Sequence, residues 1–61
     1  MCESNAYLNK EDSQELLLKD VGIIKPLEEG KLFLENIFGE ELTVKARIVE
    51  INFQEHKIVL E

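Results

Sequence analysis

The chain has 61 residues, of which 44% are hydrophobic and 33% charged, with 13 acidic against 7 basic side chains for a net charge of −6. This balance argues against a disordered tail, and no apolar run approaches the ~20 residues of a membrane-spanning helix. One cysteine rules out an internal disulfide, one cysteine plus one histidine falls short of a four-ligand zinc site, and the acidic surplus opposes phosphate backbones.

The opening Met1-Cys2-Glu3-Ser4-Asn5 has no basic stretch leading into an apolar one, so no signal peptide and a cytoplasmic address are expected. Asn9 to Ser13 reads as a polar turn. Gln14 to Lys19 reads as a short strand around Leu16, Leu17 and Leu18. A helix over Asp12–Asp20 is the alternative, but three adjacent leucines make no helical stripe. Val21-Gly-Ile-Ile-Lys-Pro-Leu27 is a second strand, with Pro26 suited to a strand end because it lacks an amide hydrogen. Glu28-Glu29-Gly30 is a turn.

Lys31 to Phe38 then reads as a strand that Gly39-Glu40 turns into the next one, an antiparallel hairpin. Within it Leu32 and Leu34 share one face. Phe33 lies on the other, where its exposure would suit a dimer surface. From Glu41 to Ile48 the pattern alternates strictly: Leu42, Val44, Ala46 and Ile48 against Glu41, Thr43, Lys45 and Arg47. The parity then changes, with Val49, Ile51 and Phe53 as the apolar set. Either a β-bulge or bend near Ile48-Val49, or two strands with a short break, accounts for this. Gln54-Glu55-His56 is the last turn, before the strand Lys57–Glu61. These six segments predict one all-β domain over residues 1–61, a small antiparallel meander rolled into a compact barrel.

A barrel of this size is marginal alone. Burying about 60% of roughly 10,000 Å² of unfolded surface contributes on the order of 85–90 kcal/mol. Ordering the residues costs roughly 90 kcal/mol. A homodimer is therefore expected to supply further burial.

Little in the chain suggests catalysis: Tyr7 and Ser4 have no neighbouring base, the acidic residues lie on solvated strand faces, and no Gly-rich phosphate loop is present. An enzyme is not expected. His56, between Glu55 and Lys57, is a ligand or pH-switch candidate, but reads better as a hydrophilic turn residue. Cys2 has a mechanism available. With the initiator methionine removed, its amine and thiolate form a five-membered chelate. With Met1 retained, the Met1 amine, the Cys2 amide nitrogen and the Cys2 thiolate chelate together. Both arrays of N and S donors are near-planar and suit a d⁸ or d⁹ ion such as Ni(II) or Cu(II). A small hydrophobe packed at the start of a strand is the competing account of Cys2.

The opening Met1-Cys2-Glu3-Ser4-Asn5-Ala6-Tyr7-Leu8 resembles the start of the CooT family, as do Asn36-Ile37-Phe38-Gly39-Glu40, Val44-Lys45-Ala46-Arg47-Ile48 and His56-Lys57-Ile58-Val59-Leu60 in the same order. The resemblance implies a nickel-binding accessory protein in the maturation of carbon monoxide dehydrogenase. It implies a small β-rich homodimer holding one Ni(II) between two chains through Cys2, with the Met1 terminal nitrogen and Cys2 backbone nitrogen as companions. The partners it implies are a second copy and a nickel enzyme or its maturation proteins. Nucleic acid and membrane are not expected partners on charge. A small β-barrel interaction or RNA-binding protein, with Cys2 incidental, is the alternative.

Overall fold

The computed structural model describes residues 3–61. Six strands form a single sheet: β1 Ser4–Asn9, β2 Gln14–Pro26, β3 Lys31–Asn36, β4 Glu41–Lys45, β5 Ile48–Asn52 and β6 Lys57–Leu60. Their order is β4-β3-β2-β1-β6-β5. The all-β expectation holds. Four of the five neighbour pairs are antiparallel, whereas β1 and β6 run parallel, with Asn5 opposite Lys57 and Leu8 opposite Leu60. The meander is thus interrupted once, where β6 lies down beside β1.

The six strands are not quite the six segments expected. Ser4–Asn9 is a strand the local pattern did not suggest, and the two segments on either side of Asp20 are one strand of 13 residues. Asp20 has φ 57° and does not end β2. The register slips against β1 between Ser4 and Ala6 and between Ala6 and Tyr7, and against β3 between Val21 and Ile23. Each slip places an extra residue on β2, the signature of a β-bulge. The strand bends at these points, so its first half pairs with β1 and its second half with β3. This curl rolls the sheet around its core.

The predicted hairpin forms, with Leu32 opposite Val44 and Leu34 opposite Leu42. Asn36 builds its turn. Its Oδ1 accepts from the Phe38 and Glu40 amides at 3.1 and 2.8 Å, and its Nδ2 donates to Glu40 Oε1 at 2.6 Å. Gly39, at φ 84°, takes the left-handed position that a side chain would strain. Both accounts of the parity change hold. β4 and β5 are separated at Ala46-Arg47, and β5 carries a bulge between Ile48 and Glu50. Ala46 is buried at this corner and its amide donates to the Gly30 carbonyl at 3.1 Å.

Ala6, Val21, Leu32, Leu34, Ala46, Ile58 and Leu60 form the core, with Leu8, Leu17, Leu18, Ile24 and Val44 packed against it. Alternation along β1, β3, β4 and β6 aims these side chains inward. The roll does not close into a barrel: β4 and β5 are the two ends of the sheet, joined by the chain at Ala46-Arg47 rather than by a ladder.

Candidate metal centre and its surroundings

The two ligands expected from the sequence, Met1 and Cys2, lie outside the described residues. The structure does describe where the chain arrives. Ser4 is buried opposite Val21, and the Asn5 amide donates to the His56 carbonyl at 2.9 Å. Asn5 Oδ1 accepts from the Asp20 amide at 3.1 Å, and the Asp20 carbonyl accepts from the Ile37 amide at 3.0 Å. One end of the roll therefore gathers the start of β1, the bulged corner of β2, the β3–β4 turn and the β5–β6 turn. These join residues far apart in sequence, because β1 and β6 run parallel from this end.

His56 belongs to this end rather than to a remote one. It is exposed, with φ 55°, and its carbonyl, not its imidazole, makes the contact with Asn5. Among the described residues, no three His, Cys, Asp or Glu side chains are grouped to hold a metal ion. No buried side-chain nitrogen or oxygen among them lacks a hydrogen-bond partner.

Phe33 does not present the exposed ring expected of it. It is half-buried on the sheet's outer face, between Lys25 and Thr43 on the neighbouring strands. The exposed aromatics are Phe38 and Phe53, at 72% and 73%, and both belong to turns at the β1-start end. Ile37 beside Phe38 is also exposed, its Cγ2 lying against Gly22. A phenylalanine next to turn residues, as in Phe38-Gly39 and Phe53-Gln54, was the available signal in the sequence.

Lys45 and Arg47 are not neighbours on one basic face; Lys45 instead stands opposite exposed Lys31 on β3. Lys45 shares β4 with exposed Glu41 and Thr43, and Arg47 Nη2 pairs with Glu61 Oε2 at 3.0 Å. Lys57 is engaged too, its Nζ 5.3 Å from the Tyr7 ring centroid. A shallow groove of about 420 Å³ runs between Leu16–Lys19 and Glu40–Leu42. Its lining is leucines with the charged side chains of Lys19, Glu40 and Glu41.

Fold and surfaces together define a small open β-roll with two exposed phenylalanines at one end. The model of the CO dehydrogenase accessory protein CooT matches residues 1–61. The chain belongs to the CooT family. Among solved structures it is similar to a Carboxydothermus hydrogenoformans protein provisionally designated CooT, with 42% identity, a TM-score of 0.90, and coverage of 97% of this chain and 94% of that one. No curated protein matches the chain.

Proposed function

We propose that this CO dehydrogenase accessory protein binds Ni(II) as cargo through Cys2 of two chains and supports maturation of a nickel enzyme such as CO dehydrogenase. The carrying observation is the family match across residues 1–61, a span that includes Met1 and Cys2. Donor chemistry supports the metal. Two thiolates with terminal-amine or backbone nitrogens fill four positions in a plane, the arrangement that Ni(II) favours. One metal then serves two chains.

Surface supports the homodimer. Large apolar side chains stand exposed on the single chain. Ile37, Phe38 and Phe53 are among them, at the end where β1 begins. A two-fold axis at this end brings two equivalent N-terminal segments together. Light scattering at micromolar concentration is expected to give twice the chain mass.

Equilibrium dialysis of the reduced protein tests the metal reading, with one nickel bound per two chains expected. Cys2→Ser is expected to fold and dimerise normally while losing the thiolate-to-nickel absorption. His56→Ala is expected to bind as the wild type does. Wild-type nickel affinity in Cys2→Ser would make Cys2 a packing residue. The alternative, an interaction or RNA-binding barrel, is opposed by the net charge of −6 and by the pairing of Arg47 with Glu61.

A further inference from the structure

The two ends of the sheet are protected unequally. β4 carries exposed Glu41, Thr43 and Lys45, charged and polar residues of the kind that discourage edge pairing. β5 has one charge, Glu50, among Ile48, Val49 and Ile51, which are 41%, 48% and 46% exposed, and Phe53 follows at 73%. Ile48 and Ile51 stand opposite Leu60 and Ile58 of the core, yet half of each remains exposed because the roll stops at β5. The outer side of β5 has no strand partner among the described residues.

In one register a second copy fits this edge poorly. Antiparallel pairing of two β5 strands about Glu50 sets Glu50 opposite its own counterpart, an unfavourable cross-strand pair. Geometry also conflicts with the bridged nickel site proposed above, on which this part of the argument rests. β1 lies two strands inside β5, and Ser4 lies three residues beyond the level of Glu50. At ~4.8 Å per strand and ~3.3 Å per residue, the two Ser4 residues of such a pair stand about 30 Å apart. The two residues preceding each Ser4 reach only about 7 Å. A dimer that shares nickel through Cys2 leaves the β5 edge open.

We propose that the β5 edge docks an extended segment of another protein, with apolar residues at alternate positions and Lys or Arg between them. The open backbone edge supplies main-chain hydrogen bonds, and Ile48, Val49 and Ile51 supply side-chain contacts. Glu50 and the overall charge of −6 select a basic strand over an acidic one.

The test titrates the full protein with an acetylated, amidated heptapeptide alternating lysine and valine, and separately with its glutamate–valine counterpart, following backbone amides by NMR. The lysine peptide is expected to bind at roughly millimolar affinity or tighter, as an unconstrained short strand can. Its shifts and its slowing of amide exchange should map to residues 48–53, and the glutamate peptide should cause neither. Ile51→Lys and Val49→Lys should each weaken binding at least about tenfold, and Thr43→Lys on β4 should not. Absence of shifts at 48–53, with dimer and nickel stoichiometry intact, overturns the docking site alone. Conversion of a dimer to a monomer by Ile51→Lys overturns it in favour of a second copy, and removes the shared nickel site as well.

Discussion

Asn36 offers a quantitative test of how the β3–β4 turn is held. The side chain is 5% exposed and makes three hydrogen bonds, two accepted from the Phe38 and Glu40 amides and one donated to the Glu40 carboxylate. Asn36→Ala removes all three and leaves two turn amides to whatever water reaches them. At about 1 kcal/mol for each neutral bond, and with the contact to exposed Glu40 discounted for solvent, the loss is about 2–3 kcal/mol. A domain of this length has roughly 3–9 kcal/mol in total. The midpoint of thermal unfolding should fall by about 10–20 °C. Asn36→Asp keeps the acceptor but turns a carboxylate toward the Glu40 carboxylate. Repulsion raises the folded-state pKa of the introduced group, so the folded state binds the proton more tightly than the unfolded one. The variant should be near its most stable below about pH 4 and lose stability as the pH rises through the carboxylate range. Adding Glu40→Gln should remove that repulsion and, with the two amides still donating to the carboxylate, reverse the dependence. Circular dichroism melts and urea titrations across pH measure each value. A loss below about 0.5 kcal/mol in Asn36→Ala would refute the reasoning and leave Gly39 as the residue that sets the turn.

Leu34 is fully buried at the centre of the core, so Leu34→Ala should cost about 3–5 kcal/mol in urea unfolding, whereas Thr43→Ala, exposed on β4, should stay within about 1 kcal/mol. Nickel binding should strengthen steeply from mildly acid to mildly alkaline pH, because an ordinary thiol and α-amine lose their protons near ~8.5 and ~8 and must do so to bind; a flat dialysis profile across that range would exclude them as ligands. Anisotropy with labelled RNA or DNA should detect no sub-micromolar binding at ~150 mM salt, and such binding would instead point to a local basic surface around Lys45.

Local pattern carried most of the sheet. Strict alternation from Glu41 to Ile48 marked β4 and the inward Leu42 and Val44, and Gly39 marked the hairpin. Two errors have one physical origin, pairing with strands distant in sequence. Ser4–Asn9 carries only Ala6 and Leu8 toward the core, and becomes a strand because β2 and β6 flank it. Asp20 fell between two expected strands, yet Asp20 and Gly22 are residues at which β2 bends while both its neighbours keep it extended. Donor chemistry alone made Cys2 legible as a candidate ligand. The company kept by the start of β1 was not legible, since bringing Asn5 to His56 requires the parallel register of β1 and β6. Phe33 was mistaken for an exposed ring because the alternation gives the face but not how deeply neighbours shield it.

The parallel pairing of β1 with β6 also sets an order of events. Asn5 meets Lys57, a partner made fifty-two residues later during synthesis. Until that strand exists, β1 can lean only on β2, and the core lacks Ile58 and Leu60. The four-stranded meander β1–β4 can pair before then, but its apolar face stays uncovered on the side that Ile58 and Leu60 will fill. Folding should therefore proceed in one late, cooperative step at a rate governed by closure of that long loop. A fragment ending before β6 keeps the β1–β4 ladders but loses Ile58 and Leu60 from the core, so it should be markedly less stable than the whole chain.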